Sequence, residues 1–317
     1  MKTAFSNGIT RQERTRRFWM SIFKNWQLYL LLIPPIVYVL LFKYQPMYGA
    51  QIAFRRFSPI KGIAGSKWVG LDNFTKFFSS PMFSRLIENT VLLSVFSLIA
   101  SFPFSIVLAI GLNYIRNVKY KKTVQMITYI PYFISVVVMV GSMQQAFSMR
   151  FGVVNSVIKF FGGTPINFFA KPEYFRPLYV FSGIWQSAGW NSIIYISALA
   201  GVDPQLHEAA IVDGASIFKR VVHIDIPCIL PTVIIMLILN MGSFLSIGFE
   251  KVYLMQNDLN VVKSEIIDTY VYKMGLASAS SNFSYSTAIG LFQSVIGFFL
   301  TVTVNGVSRR LTQTSLW

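Results

Sequence analysis

Side chains able to act as acids, bases or metal ligands are sparse in this chain of 317 residues, and the stretch from Asp203 to Pro231 holds a concentrated group of them. It contains Asp203, His207, Glu208, Asp213, Lys219, Arg220, His223, Asp225 and Cys228. Their spacing does not build a reactive centre. The 2 histidines of the chain, His207 and His223, are too few and too far apart for a zinc site. Cys228 is the single cysteine, which excludes an intrachain disulfide. No GxxxxGK[ST] phosphate loop occurs anywhere, so nucleotide binding of that kind is excluded. The stretch reads instead as two short helices joined at a glycine. Asp203 suits an N-cap and Pro204 the first helical position. Ala209 and Ala210 favour helix and keep a small profile that lets a partner approach. Gly214 suits a left-handed helix end, and Ser216 suits the cap of the next helix, which bears Lys219 and Arg220. Pro227 and Pro231 mark the start of an apolar run. On these residues alone, the segment is a docking hairpin with a glycine hinge.

A second set of side chains lies within apolar runs: Trp185, Gln186, Trp190, Asn191 and Tyr195, then Asn240 and Ser243, then Gln293 and Ser294. An amide in hydrocarbon turns inward, toward protein or water. Each of these residues has a plain alternative role in packing between helices, and the Trp and Tyr residues one in an interfacial belt. Gly242 and Gly248 suit close helix contact or a kink.

The elements that must position both sets follow from composition. Apolar residues make up 54% of the chain and charged residues 13%, with 29 Phe, 15 Tyr and 6 Trp. A soluble domain carries about 25% charged residues, and one core could not hide so much apolar surface. A bilayer removes the difficulty, because the exterior is then apolar too. The formal charge of +16 would by itself suggest nucleic acid, but the charges flank the apolar runs rather than forming one basic face, so no nucleic-acid partner is expected. A hydrocarbon core of about 30 Å needs roughly 20 helical residues. Six segments qualify: Leu28 to Tyr44, Thr90 to Tyr114, Thr123 to Phe147, Leu178 to Ala200, Ile229 to Phe249, and Thr287 to Val307. The expected fold class is therefore an all-α polytopic membrane protein. The first segment has the basic flank of a signal peptide (Arg14, Arg16, Arg17, Lys24), but Lys43-Tyr44-Gln45-Pro46 offers no small-x-small cleavage site, and an uncleaved span is expected. The basic clusters Arg11 to Arg17, Arg116 to Lys122, Lys219-Arg220 and Arg309-Arg310 fall on one side, which places both termini in the cytoplasm. The organisation expected is a cytoplasmic segment over residues 1–27, a membrane domain over 28–307 with the loop 203–231, and a cytoplasmic tail over 308–317. Outside, a loop from Gln45 to about Glu88 is expected to hold a short helix capped by Asp72, with Phe74, Phe77 and Phe78 on one face, lying along the membrane surface. The outer segment around Lys273 to Asn282 is rich in Ser and Ala.

Ion-coupled carriers place ionisable groups inside the bilayer. The interiors of these spans lack Asp, Glu, Lys, Arg and His, which counts against a proton-coupled secondary transporter, although a sodium site of carbonyls and hydroxyls remains an alternative. The same absence counts against an intramembrane protease and against an enzyme acting on lipid-linked glycans. Energy for directed movement would have to come from another subunit.

Glu208-Ala209-Ala210, Asp213-Gly214-Ala215, Ile224, Pro227 and Pro231 resemble, in type and spacing, the signature loop of permeases from binding-protein-dependent ABC importers. The chain departs at Val221-Val222, where many sugar permeases carry an aromatic residue. Pro46 to Phe54, Trp68 to Phe74, Ile130 to Ser135 and Thr269 to Tyr272 look like the subgroup that handles complex oligosaccharides or polysaccharide fragments, with its alginate-type and lipopolysaccharide-named members. The resemblance implies the type I ABC importer permease fold, a bacterial cell membrane location and a coupling helix. Glu208, Ala209, Ala210, Asp213 and Gly214 would contact an ATPase subunit. It implies further a second, related permease, two ABC ATPase subunits that bind ATP and Mg, and an extracellular solute-binding protein. No cofactor and no metal are expected in this chain, nor any enzymatic activity of its own. A sugar path between the two permeases would use aromatic faces for pyranose rings and amides or hydroxyls for sugar hydroxyls. Trp185, Trp190, Asn191, Tyr195, Asn240, Ser243 and Gln293 are the candidates. A permease for a non-sugar solute is the alternative within the same family.

Overall fold

The computed structural model describes Met20 and residues 24–278, 281–312 and 315–316. The basic cluster Arg11 to Arg17, most of segment 1–27, and parts of the 308–317 tail and of the Lys273 to Asn282 segment lie outside these described residues.

Helix α1 (Trp26–Phe54) follows from a long apolar run and outlasts it. The sequence suggested a loop from Gln45. The chain instead passes through a π-helical turn at Leu40–Tyr44 and ends in a 3-10 stretch at Tyr48–Phe54. Pro46 is the second residue after the wider turn, in the first turn of the segment Gln45–Met47, where a ring without an N–H is accommodated. An antiparallel ribbon comes next, pairing β1 (Arg55–Arg56) with β2 (Lys67–Trp68). The Arg55 guanidinium donates to Ser66 O at 3.0 Å and lies 5.4 Å from the centre of the Trp68 ring, which stacks on Phe54.

Helix α2 (Asp72–Phe78) forms where expected, but Asp72 is not its cap. Leu71 occupies that position, and Asp72 sits in the first turn, paired with Lys76 at 2.8 Å. There the carboxylate still favours the helix N-terminus. Its aromatic residues do not share one surface-lying face. Phe77 is buried against Phe83, Tyr285 and Phe292, whereas Phe74 meets Phe54.

Helix α3 (Met82–Tyr114) begins earlier than its apolar run and carries Pro103 inside. The third apolar run is not one straight helix. Helix α4 (Val118–Tyr129), a 3-10 turn at Ile130–Phe133 and helix α5 (Val136–Ala146) form a pair bent by 101°. Pro131 removes a donor from the helical ladder, and Ser135 caps α5 by accepting from Val138 N at 3.3 Å. After α6 (Val153–Phe160) comes α7 (Pro172–Ala200), which lies against both α3 and α4. Helix α8 (Pro204–Val212) is followed by α9 (Ile217–Gly242), and then by the shorter α10 (Phe249–Met255), α11 (Val261–Ser264) and α12 (Ile267–Tyr272). Helix α13 (Phe283–Thr312) closes the fold, with Arg309 and Arg310 in its last turn, where cations suit the helix end.

By length and apolarity, 4 helices among the described residues are able to cross a membrane: α1, α3, α9 and α13. The bent pair raises this to 5. Helix α7 is long enough, at 29 residues, but carries too many polar side chains to join them. Its close neighbours explain why it needs small residues as well. A Cβ added at Gly189 would lie 2.0 Å from Thr128 O of α4. Gly189→Ala is therefore expected to separate α4 from α7 at a cost of about 1–3 kcal/mol. A lower thermal midpoint of the purified protein would show it, and an unchanged midpoint would rule out this close approach.

Candidate functional site

Helix α3 presents Ser94, Ser97, Ser101 and Ser105 on one face, at spacings of three to four residues. Ser94 Oγ donates to Thr90 O at 2.7 Å and Ser105 Oγ to Ser101 O at 3.1 Å, which lets hydroxyls sit in an apolar helix. Ser97 Oγ is buried with no hydrogen-bond partner. This face forms one wall of a cavity of about 360 Å³. Ser187, Asn191 and Tyr195 of α7 form a second wall, and Asn240 of α9 with the turn after it forms the third. Of the seven path candidates, Asn191, Tyr195, Asn240 and Ser243 meet here. The Asn240 amide donates to Met236 O at 2.7 Å within its own helix. Tyr195 is buried, with Phe102 against its edge.

The third wall exists because α9 stops at Gly242, not at Phe249 as its apolar run suggested. The chain then turns through Ser243 to Gly248, whose φ of 77° is a left-handed conformation that favours glycine. Two side chains hold this turn. Gln293 donates from its amide to Leu245 O at 2.8 Å, Ser246 Oγ at 3.1 Å and Asp268 Oδ1 at 2.9 Å. The Tyr179 hydroxyl donates to Ile247 O. Gln293 thus supports the wall rather than facing the space. Trp185 and Trp190 lie off the cavity. Trp185 is 55% exposed, and Trp190 stacks on Tyr132 with ring centres 4.7 Å apart.

Two ionisable groups behind the turn escaped the sequence reading, because they fall between apolar runs and only the fold returns them to the bundle. Lys251 of α10 is buried, donates to Tyr179 O at 2.8 Å and lies 4.4 Å from that ring's centre. Burial raises the Asp268 carboxyl above the usual range. The serine ladder was visible in principle, as four serines at helical spacing.

At the far end of α7, the caps and the glycine turn of the loop form as read, but the second helix is not short: it starts at Ile217 and runs on through Pro227 and Pro231 as α9, ahead of the span start expected near Ile229. Asp203 Oδ1 accepts from Gln205 N at 2.9 Å, and Ser216 Oγ accepts from Lys219 N at 3.4 Å. Gly214 has φ 73°, and Ala215 N reaches back to Ala210 O at 2.8 Å, closing the end of α8. Glu208, Ala209, Asp213 and Gly214 are exposed, and Ala210 is half-buried. Beside them Val212 and Phe218 are 86% and 76% exposed, so the hairpin presents an apolar surface.

Four helices among the described residues, long and apolar enough to cross a membrane, together with a polar cavity, place the chain among helical membrane proteins, and residues 101–313 match the family described as binding-protein-dependent transport system inner membrane component. The chain belongs to this family. It is 44% identical to Protein LplB of Bacillus subtilis (strain 168), over 94% of each chain. It is 42% identical to the polygalacturonan/rhamnogalacturonan transport system permease protein YteP of the same organism, over 100% of each. Among solved structures it resembles a chain of a bacterial alginate ABC transporter in complex with an alginate pentasaccharide-bound periplasmic protein. The TM-score is 0.86 and the identity 37%, over 95% of this chain and 100% of that one.

Burial lowers the Lys251 ammonium from its ordinary value of 10.5 to about 7. Between those values the unfolded chain binds more protons than the folded one, so this group makes stability rise with pH from about 7 to about 10. Lys251→Met removes that contribution. The thermal midpoint of the wild type is expected to gain on that of Lys251→Met across this range, and a gap independent of pH would contradict the assignment.

Proposed function

We propose that this chain forms half of the translocation path of an ATP-driven importer for oligosaccharides cut from acidic polysaccharides. The observation that carries the reading is the cavity among α3, α7 and α9, a hydroxyl- and amide-lined space inside an otherwise apolar bundle. Such groups hydrogen-bond sugar hydroxyls, and Tyr195 adds an aromatic ring to the wall. The acidic class is supported by the names of the relatives, which concern polygalacturonan and alginate.

In this reading α1, α3, the bent pair α4–α5, α7, α9 and α13 are six spans with both termini in the cytoplasm. Helix α8 is the coupling helix. Glu208, Ala209, Ala210, Asp213 and Gly214, with exposed Val212 and Phe218 beside them, enter a cleft on an ABC ATPase subunit. ATP and Mg are bound by two such subunits, and this chain holds no cofactor. A second, related permease supplies the other half of the path, and an extracellular binding protein delivers the sugar. ATP binding draws the ATPase subunits together, moves the coupling helices and rocks the spans to open outward.

Loss of one hydrogen bond to a sugar hydroxyl removes about 0.5–1.5 kcal/mol. Asn191→Leu and Asn240→Leu are therefore each expected to lower oligogalacturonide uptake by about 2- to 10-fold in assembled transporter. Unaltered uptake in both would remove the cavity from the path. At the loop, Glu208→Lys and Gly214→Val are expected to abolish uptake and sugar-stimulated ATP hydrolysis together. Survival of both activities in both variants would show that α8 is not the coupling helix.

A further inference from the structure

Three elements converge beneath α8 on one buried carboxylate. Asp225, in the π-helical turn Val221–Asp225 of α9, is 0% exposed. Its Oδ2 accepts a hydrogen bond from the hydroxyl of Tyr114, the last residue of α3, at 2.6 Å. Its Oδ1 faces Nε2 of His207 on α8 at 3.3 Å, an ion-pair separation without hydrogen-bond alignment. The His207 ring meets the Tyr114 ring edge-on at 6.5 Å, and the Arg220 guanidinium lies 5.6 Å from the centre of that ring. Arg220 Nε is also buried without a partner. Taking a carboxylate out of water is costly unless partners hold it in place. Drawing Tyr114 or His207 away would leave the buried carboxylate with fewer partners, which opposes their separation. The π-helical turn, a geometry frequent at functional sites, ends on this carboxylate. Positions 114, 207 and 225 all fall outside the pattern of Glu208 to Gly214, Ile224, Pro227 and Pro231.

We propose that Tyr114, His207 and Asp225 are positioning residues that lock α8 to the cytoplasmic ends of α3 and α9, so that a displacement of α8 moves both helices together. This rests on the reading of α8 as the ATPase contact and adds how its movement leaves the loop. Both helices lead to the cavity: α3 carries the serine face and α9 ends at Asn240 and Gly242. The carboxylate serves as the common anchor. Tyr114 ties it to α3, His207 ties it to α8, and the chain itself ties it to α9.

The test uses the assembled transporter with its two ATPase subunits. The native cysteine is removed (Cys228→Ser) and a reporter is placed in the cavity wall (Ser101→Cys). The readout is the change in labelling by a membrane-impermeant maleimide between the nucleotide-free state and the state trapped with ATP and vanadate. Tyr114→Phe removes one hydroxyl and keeps the ring, and Asp225→Asn keeps the shape and removes the charge. Both complexes are expected to retain their ATPase subunits and to lose about 2- to 30-fold of the ATP-driven labelling change, the range for residues that carry coupling between sites. The double variant is expected to lose no more than Asp225→Asn alone. A full labelling change in both single variants would overturn the proposal, as would an additive loss in the double variant. Release of the ATPase subunits from the Tyr114→Phe complex would also overturn it, assigning the cluster to docking. Failure of the contact reading itself would show separately, as Gly214→Val complexes that keep both their ATPase subunits and the full labelling change.

Discussion

Every backbone N–H and C=O withdrawn from water must find a partner, and in a bundle built for hydrocarbon this decides where the chain is free to leave the helix. It does so at two places inside the bundle, and both are held from α7. At the bend between α4 and α5, Gln186 donates to Ile134 O at 2.9 Å. At the break after α9, the Tyr179 hydroxyl donates to Ile247 O, and Gln293 of α13 takes Leu245 O. The polar content that makes α7 the least span-like of the long helices is thus what permits the other helices to break. A uniformly apolar α7 would leave Ile134 O and Ile247 O without these partners and would favour two straight helices in place of the bent pair and the turn.

The broken helix in turn makes the cavity. Had α9 continued to Phe249, its side chains would have packed along α13 as those before Gly242 do. The turn from Ser243 to Gly248 instead leaves room next to the serine face of α3 and returns the chain through α10. Lys251 secures α10 by reaching Tyr179 O, so one tyrosine joins the turn and the lysine to the same helix. Beyond α10, Asn89 of α3 donates to Val262 O and Glu265 O at 3.0 Å each, which fixes the returning segment against α3.

What the sequence made legible followed from how local each feature is. The caps at Asp203 and Ser216 and the left-handed Gly214 depend on neighbours two to five residues away, and all three formed as read. Apolar runs located the long helices but set their ends poorly. Helices α3 and α7 begin before their apolar runs, where Arg176 of α7 donates to Asn89 Oδ1 of α3 at 3.0 Å and joins the two polar extensions. The bend at Pro131 and the stop at Gly242 were ambiguous, since proline and glycine occur inside continuous membrane helices too. Asn191, Tyr195, Asn240 and Ser243 came together because amides and hydroxyls on three helices share one polar interior. Trp185 and Trp190 did not, because an indole is equally at home on an outer surface or against another ring. Lys251 and Asp268 were out of reach, since nothing local to them signals that the chain doubles back.

The two ends of the molecule are joined by stiff elements. From Ser105 to Tyr114, α3 runs nine residues, and from Asp225 to Asn240, α9 runs fifteen. At about 1.5 Å per residue these are arms of roughly 13 and 22 Å. The α3 arm has no proline after Pro103, whereas the α9 arm carries Pro227 and Pro231 and lacks their two backbone donors, so α9 transmits a shift applied near Asp225 through its packing against α7 and α13 as well as through its own hydrogen bonds. If only one arm were gripped, the two walls would slide past each other and the packing between α3 and α7 would absorb the motion. Gripping both through a single carboxylate changes the outcome: the serine face and the Asn240 wall are displaced together relative to α7. Ala109, Tyr195, Leu199 and Ile229 form the apolar contact that lies between the two arms and α7 on the way. That contact has no hydrogen bonds of its own to break, which makes it the natural surface on which such a displacement would slide.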